Sequence, residues 1–271
     1  MEDLLIKWFQ ELNDKFIAVG NNGLLGIDIG AFNADLYSYV TSITRNVVMP
    51  IAYVILSLFF LLELYHCSLK ADGAGGGTTL GAEIIFRALV KMALCKLAVD
   101  NTLLIMQAVY GVGQSIVLGI ANEIGSGAVS GGLDMAAIEV EIHSLNFFEQ
   151  LGMMIELVII KGGVTIILGL VEILCIGRFI EIYVYIAVSP IPLSTFPSDE
   201  LSQIAKNFLK SFAAVCLQGA FIYLVLSFFP ILVNANILGG FSSWSLLFYS
   251  LVLAIGVFSS QKWAKAICNA M

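Results

Sequence analysis

Glu156, Lys161 and Glu172 interrupt the apolar run Leu151–Gly177. Ionisable side chains at membrane depth face a bundle interior, water or an opposite charge, and the chemistry open to them is ion or proton passage along a polar path. Lys161 and Glu172 are eleven residues apart and so share a helix face. They also stand about 16 Å apart along that helix, too far to pair with one another. Their partners must lie on other helices or on another subunit. A polar pathway competes on near-equal terms with a buried structural ion pair or a wet seam between subunits. Just beyond them, Arg178 and Glu181 are three apart and could pair at the cytoplasmic interface.

No other residues assemble a reactive site. The two histidines, His66 and His143, have no second ligand at metal spacing, and neither sits in a motif with a candidate serine nucleophile. The five cysteines, Cys67, Cys95, Cys175, Cys216 and Cys268, are dispersed in or beside apolar runs without a CxxC pair, so they read as small packing residues. Ala71–Gly81 (ADGAGGGTTLG) lacks the Lys-Ser/Thr ending and the preceding strand of a phosphate-binding loop and reads as a hinge. No catalytic residue, metal or cofactor is expected, and the chain is not expected to be an enzyme.

The elements that must position these charges belong to a bilayer. Val47–Cys67 (VVMPIAYVILSLFFLLELYHC) runs 21 residues with one acidic residue, Glu63. A membrane crossing needs about 20 such residues. Of 271 residues, 59% are hydrophobic and 12% charged, where a soluble domain carries about 25% charged residues. Mean hydropathy is +0.94. The expected fold is all-α: a polytopic helical membrane protein of five or six crossings with an N-terminal amphipathic helix and a proline-broken helix. No segment is basic enough for an electrostatic grip on nucleic acid.

Residues 1–46 form an N-terminal helical region, 47–260 the membrane domain and 261–271 a tail. Leu5, Trp8, Phe9, Leu12, Phe16 and Val19 make one apolar stripe on a helix too charged to span, which should lie on a membrane surface or pack on a partner. Its acidic start lacks the apolar core of a cleavable signal. After a Gly/Asn-rich break at Gly20–Asn33, a short helix Ala34–Asn46 leads into the first crossing. Crossings are placed at 47–67, 102–122, 151–177, 211–233 and 241–260. Segment 178–197 is either re-entrant or continuous with the helix before it. Pro190 and Pro192 favour the broken arrangement, since each removes an amide donor. Glu83–Asp100 is apolar but carries Arg87, Lys91 and Lys96. Cations at mid-bilayer cost about 2.5–3.5 kcal/mol each against about 0.3–0.6 returned per apolar residue, so this segment should lie at an interface or inside an assembly. Gly111, Ser115 and Gly119 recur every fourth residue, and Gly162 and Gly169 lie seven apart, the spacing of close helix packing.

Lys and Arg are unevenly placed. Residues 68–100 hold four, 123–150 none, 198–210 two, 234–240 none and 261–271 two. The positive-inside rule then puts the N-terminus outside and the C-terminus in the cytoplasm, with five crossings favoured and six the alternative.

Arg178–Pro197 (RFIEIYVYIAVSPIPLSTFP) resembles the hallmark segment of TrbL-like proteins, the polytopic inner-membrane components of conjugative type IV secretion systems equivalent to the sixth VirB protein. The branch on Gram-positive mobile elements is the most similar. The order of elements extends the likeness over roughly residues 1–265: amphipathic helix, first crossing, Gly-rich loop, charged helix, and Gly-rich region before the hallmark helix. The resemblance implies several copies at the base of a DNA-translocating channel, in contact with its ATPases and with passing DNA or relaxase-bound DNA. It implies that Ser189, Pro190 and Pro192 shape the broken helix, flanked by Arg178 and Glu181. The family's large outer loop corresponds only to Glu123–Gln150, which weighs against a substrate-guiding role for it here. A small-solute or ion transporter is the competing reading, and it would require internal inverted repeats, of which the sequence shows none.

Overall fold

A computed structural model describes residues 2–21, 25–73, 78–129, 135–144, 146–198, 201–234 and 243–270. Among these there is no strand. The helices are α1 (Glu2–Asn21), α2 (Ile29–Phe32), α3 (Ala34–Ile43), a π turn (Thr44–Val48), α4 (Met49–Gly73), α5 (Thr78–Asp100), α6 (Thr102–Val129), α7 (Met135–Ser144), α8 (Phe147–Val188), α9 (Pro190–Leu193), α10 (Ser202–Asn234) and α11 (Ser243–Cys268). Five stretches are long and apolar enough to cross a membrane: Ala34–Leu69, Thr102–Glu123, Phe147–Val188, Ser202–Phe228 and Trp244–Cys268. The charged α5 is not among them.

Several boundaries differ from the sequence reading, and in one direction. Once started, these helices run on. The short helix at Ala34 passes through the π turn into α4 without a loop. α11 continues through most of the expected tail to Cys268. α8 does not break near Arg178 but covers 42 residues to Val188, stopping just before Pro190. At 1.5 Å per residue that is about 63 Å, roughly twice the hydrocarbon thickness, so α8 either projects from the bilayer or lies steeply tilted. Parts of the Gly-rich hinge (74–77) and of the expected outer loop (130–134) lie outside the described residues.

The chain forms two compact units built from interleaved segments. One comprises Met1–Ile27, Gly113–Arg178 and Leu217–Ala264. Its core is a set of helical stripes. Leu157, Ile160, Val164, Leu168, Val171 and Cys175 of α8 recur at three- and four-residue spacing, as do Leu246, Tyr249, Leu253 and Val257 of α11. Leu5, Phe9 and Leu12 of α1 pack into the same core and are fully buried, with Ile138 and Ile142 of α7. The amphipathic helix thus satisfies its stripe on its own chain, with neither a lipid surface nor a partner needed for those three residues. Phe16 and Val19 lie outside the described side chains. Close approach falls on glycines the spacing did not single out: a β carbon on Gly163 would stand 2.9 Å from Leu247, and one on Gly256 2.8 Å from Val225.

The other unit comprises Asp28–Val112, Phe179–Cys216 and Lys265–Met271. Here α4 and α5 form an antiparallel hairpin, fixed by Tyr53 donating to Asp100 at 2.6 Å and Lys91 meeting Glu63 at 3.4 Å. Arg87 pairs with Glu83, and Lys96 with Asp100. Every cation of α5 therefore has a carboxylate. Neutralised in this way, the hairpin shows an apolar exterior, with Val54, Leu61, Phe86 and Leu94 exposed. The first crossing's single acid, Glu63, finds its partner there.

Phe9→Ala removes a fully buried ring, which typically costs about 3–5 kcal/mol. We expect α1 to become sensitive to limited proteolysis in detergent. Lys7→Gln, on the exposed face, should leave the digestion pattern unchanged.

Candidate functional site

The three intramembrane charges are not brought together. Lys161 is held by α1: its ammonium pairs with the Glu11 carboxylate and stands 5.5 Å from the Trp8 ring centroid, within cation–π range. One turn on, Lys15 donates to Thr165 Oγ1 at 2.9 Å. At the start of the two helices, Gln150 donates to Glu2 at 2.9 Å and His143 Nδ1 lies 2.9 Å from the same carboxylate. The pairs 2/150, 11/161 and 15/165 rise together, so α1 runs parallel to α8. Trp8, Glu11 and Lys15 lie three and four apart on one helix face, the signal that could have marked them as the counterpart of Lys161. Lys161 therefore has a counter-charge within its own chain. Glu156 and Glu172 lie exposed on α8, and neither forms an ion pair among the described residues.

The hydrogen bond from Lys161, then the charges of Lys161, Lys7 and Lys15, hold the Glu11 carboxyl below its ordinary 4.5 against the opposing effect of burial. Glu2 is lowered likewise, first by Gln150. A carboxylate with a depressed folded value adds stability that is complete above its unfolded value and is lost as pH falls through the folded one.

Arg178 closes the same unit from the other end. It is 3% exposed, and its guanidinium occupies the space where a β carbon on Gly219 of α10 would stand. With glycine at 219 the guanidinium lies directly against the α10 backbone, and a side chain there would displace it. Next to it, Gln218 is buried and reaches Ser260 of α11 at 3.4 Å. Glu181 is half-buried, with the charge of Lys265 nearby.

In the other unit, the proline break is built in detail. Pro190 has no amide proton for the carbonyl of Ile186. That carbonyl instead accepts from Ser189 Oγ at 2.7 Å, with Thr44 Oγ1 of the π turn 3.4 Å away. Thr44 itself donates to Val40 O at 2.8 Å. Below the break, Ser194 Oγ donates to Ile191 O at 2.7 Å and Thr195 Oγ1 to Pro192 O at 2.8 Å. Hydroxyl side chains thus occupy carbonyls around the irregular backbone, as non-helical chain at membrane depth requires. Leu193 of α9 is fully buried against Ala52, Leu56, Cys95 and Val99, so the break seats on the α4–α5 hairpin. π turns concentrate at functional sites, and this one touches the hallmark segment. Further up α8, Phe179 stacks on Phe32 at 4.1 Å, and Tyr183 donates to Ile29 O at 2.7 Å.

A β carbon added at Gly111, Gly119, Gly162 or Gly169 meets nothing within 4 Å. The β-carbon positions of these spaced glycines face open space among the described residues.

A model of the family described as TrbL/VirB6 plasmid conjugal transfer like protein matches residues 22–190, well over half of the chain. The match takes in the first three candidate spans and the proline break as far as Pro190. No curated protein and no solved structure matches the chain.

Two outcomes are expected from this geometry. Gly219→Ala should cost about 1–3 kcal/mol by overpacking against Arg178, and the cost should shrink in an Arg178→Ala background, because the two sites are coupled. Thermal unfolding in detergent of the four chains measures this. Lowering the pH from 7 through the carboxylate range should raise hydrogen exchange in α1, with a smaller step in Glu11→Gln.

Proposed function

We propose a role that starts from one premise: the chain belongs to the TrbL/VirB6 plasmid conjugal transfer-like family. That makes it a component of conjugal transfer by type IV secretion, and five apolar helices make it a multi-pass membrane protein. The finer reading is ours. The chain is a structural subunit of the channel that moves DNA or relaxase-bound DNA across the cytoplasmic membrane. It acts in several copies and in contact with the system's ATPases, with the N-terminus outside and the C-terminus in the cytoplasm. No catalytic residue or cofactor is part of the reading.

The observation that carries it is the outer face of α8. Glu172 stands exposed there among Ile166, Ile173 and Ile176, with Glu156 sixteen residues before it. A carboxylate among lipid-length apolar side chains costs several kcal/mol unless water or protein covers it. The open glycines Gly162 and Gly169 on the same helix, and Gly111 and Gly119 on α6, offer room for a second backbone. A solute transporter would more commonly show two repeated halves, whereas the two units here draw on interleaved segments.

Deletion of the gene in a donor should abolish conjugation, and complementation in trans should restore it. A crosslink between the chain and transferring DNA would support channel lining, while normal transfer without the gene would contradict the role. Glu172→Leu should lower transfer at unchanged protein level. If the chain works as a lone lipid-facing helix bundle, the same substitution should be tolerated.

A further inference from the structure

One carbonyl in the second unit is offered more donors than it has lone pairs. Pro190 leaves Ile186 O without its helical amide. Three donors stand within reach of that oxygen: Ser189 Oγ at 2.7 Å, the Ser189 amide at 3.4 Å and Thr44 Oγ1 at 3.4 Å. A carbonyl oxygen has two lone pairs. The mismatch is mirrored at the threonine. Thr44 has a single hydroxyl proton and two carbonyls for it, Val40 O at 2.8 Å and Ile186 O at 3.4 Å. Thr44 and Ser189 are both fully buried, so the choice of partner is made inside the protein. The π turn is what presents Thr44 here: its carbonyl accepts from the Met49 amide, five residues on, while its hydroxyl faces α8.

An exchange of partners at this joint orphans nothing. Val40 O also accepts the Thr44 amide, so it stays bonded when the hydroxyl leaves. Ile186 O keeps the Ser189 amide. A serine released from the carbonyl three residues back has an ordinary partner in the carbonyl four residues back, here that of Tyr185. Neither arrangement leaves a buried polar group unmade, which is the expensive outcome in a hydrogen-bond exchange.

We propose that Thr44 and Ser189 form a two-position latch on the proline break. In the position seen here, Thr44 donates to Val40 O and Ser189 to Ile186 O. In the other, Thr44 donates to Ile186 O and Ser189 to Tyr185 O. Hydroxyl side chains bonded back to the preceding turn bend a helix, so the two positions differ in the angle at which α8 enters α9. The Leu193 amide bonds Ser189 O across the joint at 3.3 Å, and it is the bond that a change of angle opens. Leu193 itself sits on Ala52 and Leu56 of α4 and on Cys95 and Val99 of α5, so the change reaches the hairpin. The latch is a property of the fold and does not depend on the transport role.

The test is hydrogen exchange at the Leu193, Ser194 and Thr195 amides of the purified full chain in detergent. Thr44→Val keeps the side-chain shape and removes the competing donor, so the second position is lost and exchange there should slow about fivefold, the ratio set by one net hydrogen bond. Ser189→Ala removes the group that holds the first position, and exchange should rise by a similar factor. Thr44→Ser keeps the hydroxyl and should match the wild type. Amides of α11 serve as the control for the rest of the fold and should not change. Opposite signs for the two hydroxyl deletions are the signature, because a merely structural role loosens the joint in both. Faster exchange in both Thr44→Val and Ser189→Ala, with or without loosening of α11, overturns the latch, as does no change in either.

Discussion

A charge on an apolar helix must find its counter-charge, or a covering surface, before the helix can leave water. Most of the internal architecture of this chain answers that constraint. α5 would be excluded from any apolar setting by its three cations, yet each is matched, two on its own helix and one by Glu63 of α4. Lys161 of α8 is matched by Glu11, and the helix that supplies Glu11 is thereby held in the core through Leu5, Phe9 and Leu12. The Coulomb attraction of exposed pairs is worth little in water. Beside lipid its value lies in what it prevents, because the alternative is an uncompensated charge.

The backbone obeys the same rule. Pro190 and Pro192, two residues apart, remove the amide donors that the carbonyls of Ile186 and Val188 at the end of α8 would otherwise meet. Ser189 occupies the carbonyl of Ile186, which Thr44 approaches from the π turn, and Ser194 and Thr195 donate to carbonyls of the turn that follows. The string S-P-I-P-L-S-T is therefore a chemical unit: proline creates the break and the neighbouring hydroxyls make it tolerable. Its seat on the α4–α5 hairpin ties the break to the charged helix, so the two least regular features of the chain share one apolar cluster around Leu193.

Much of this was legible in the residues. Apolar run length announced the crossings, and the energy balance kept α5 out of the set of spanning helices. The stripe on α1 was visible, but its destination was not, because periodicity shows that a face must be covered and not by what. The same limit applied to Lys161, whose partner lies 150 positions away in sequence. Glycine spacing pointed to Gly111, Gly119, Gly162 and Gly169, whereas close contacts within the chain fell on Gly163, Gly219 and Gly256. Four-residue spacing reports room along a helix face, and three-dimensional packing decides which glycine is filled. Gly219 in particular carries no local signal, since its need arises from a buried arginine on another helix.

The outward face of α8, with its isolated carboxylates and open glycines, is the surface on which the functional account rests. The most direct measurement places a photo-crosslinking amino acid singly at Gly162, at Glu172 and at the buried control Leu157, in donor cells during transfer. The account predicts adducts between copies of this chain from Gly162 and Glu172 and none from Leu157. Adducts with lipid alone at both exposed positions, in cells transferring normally, would contradict it.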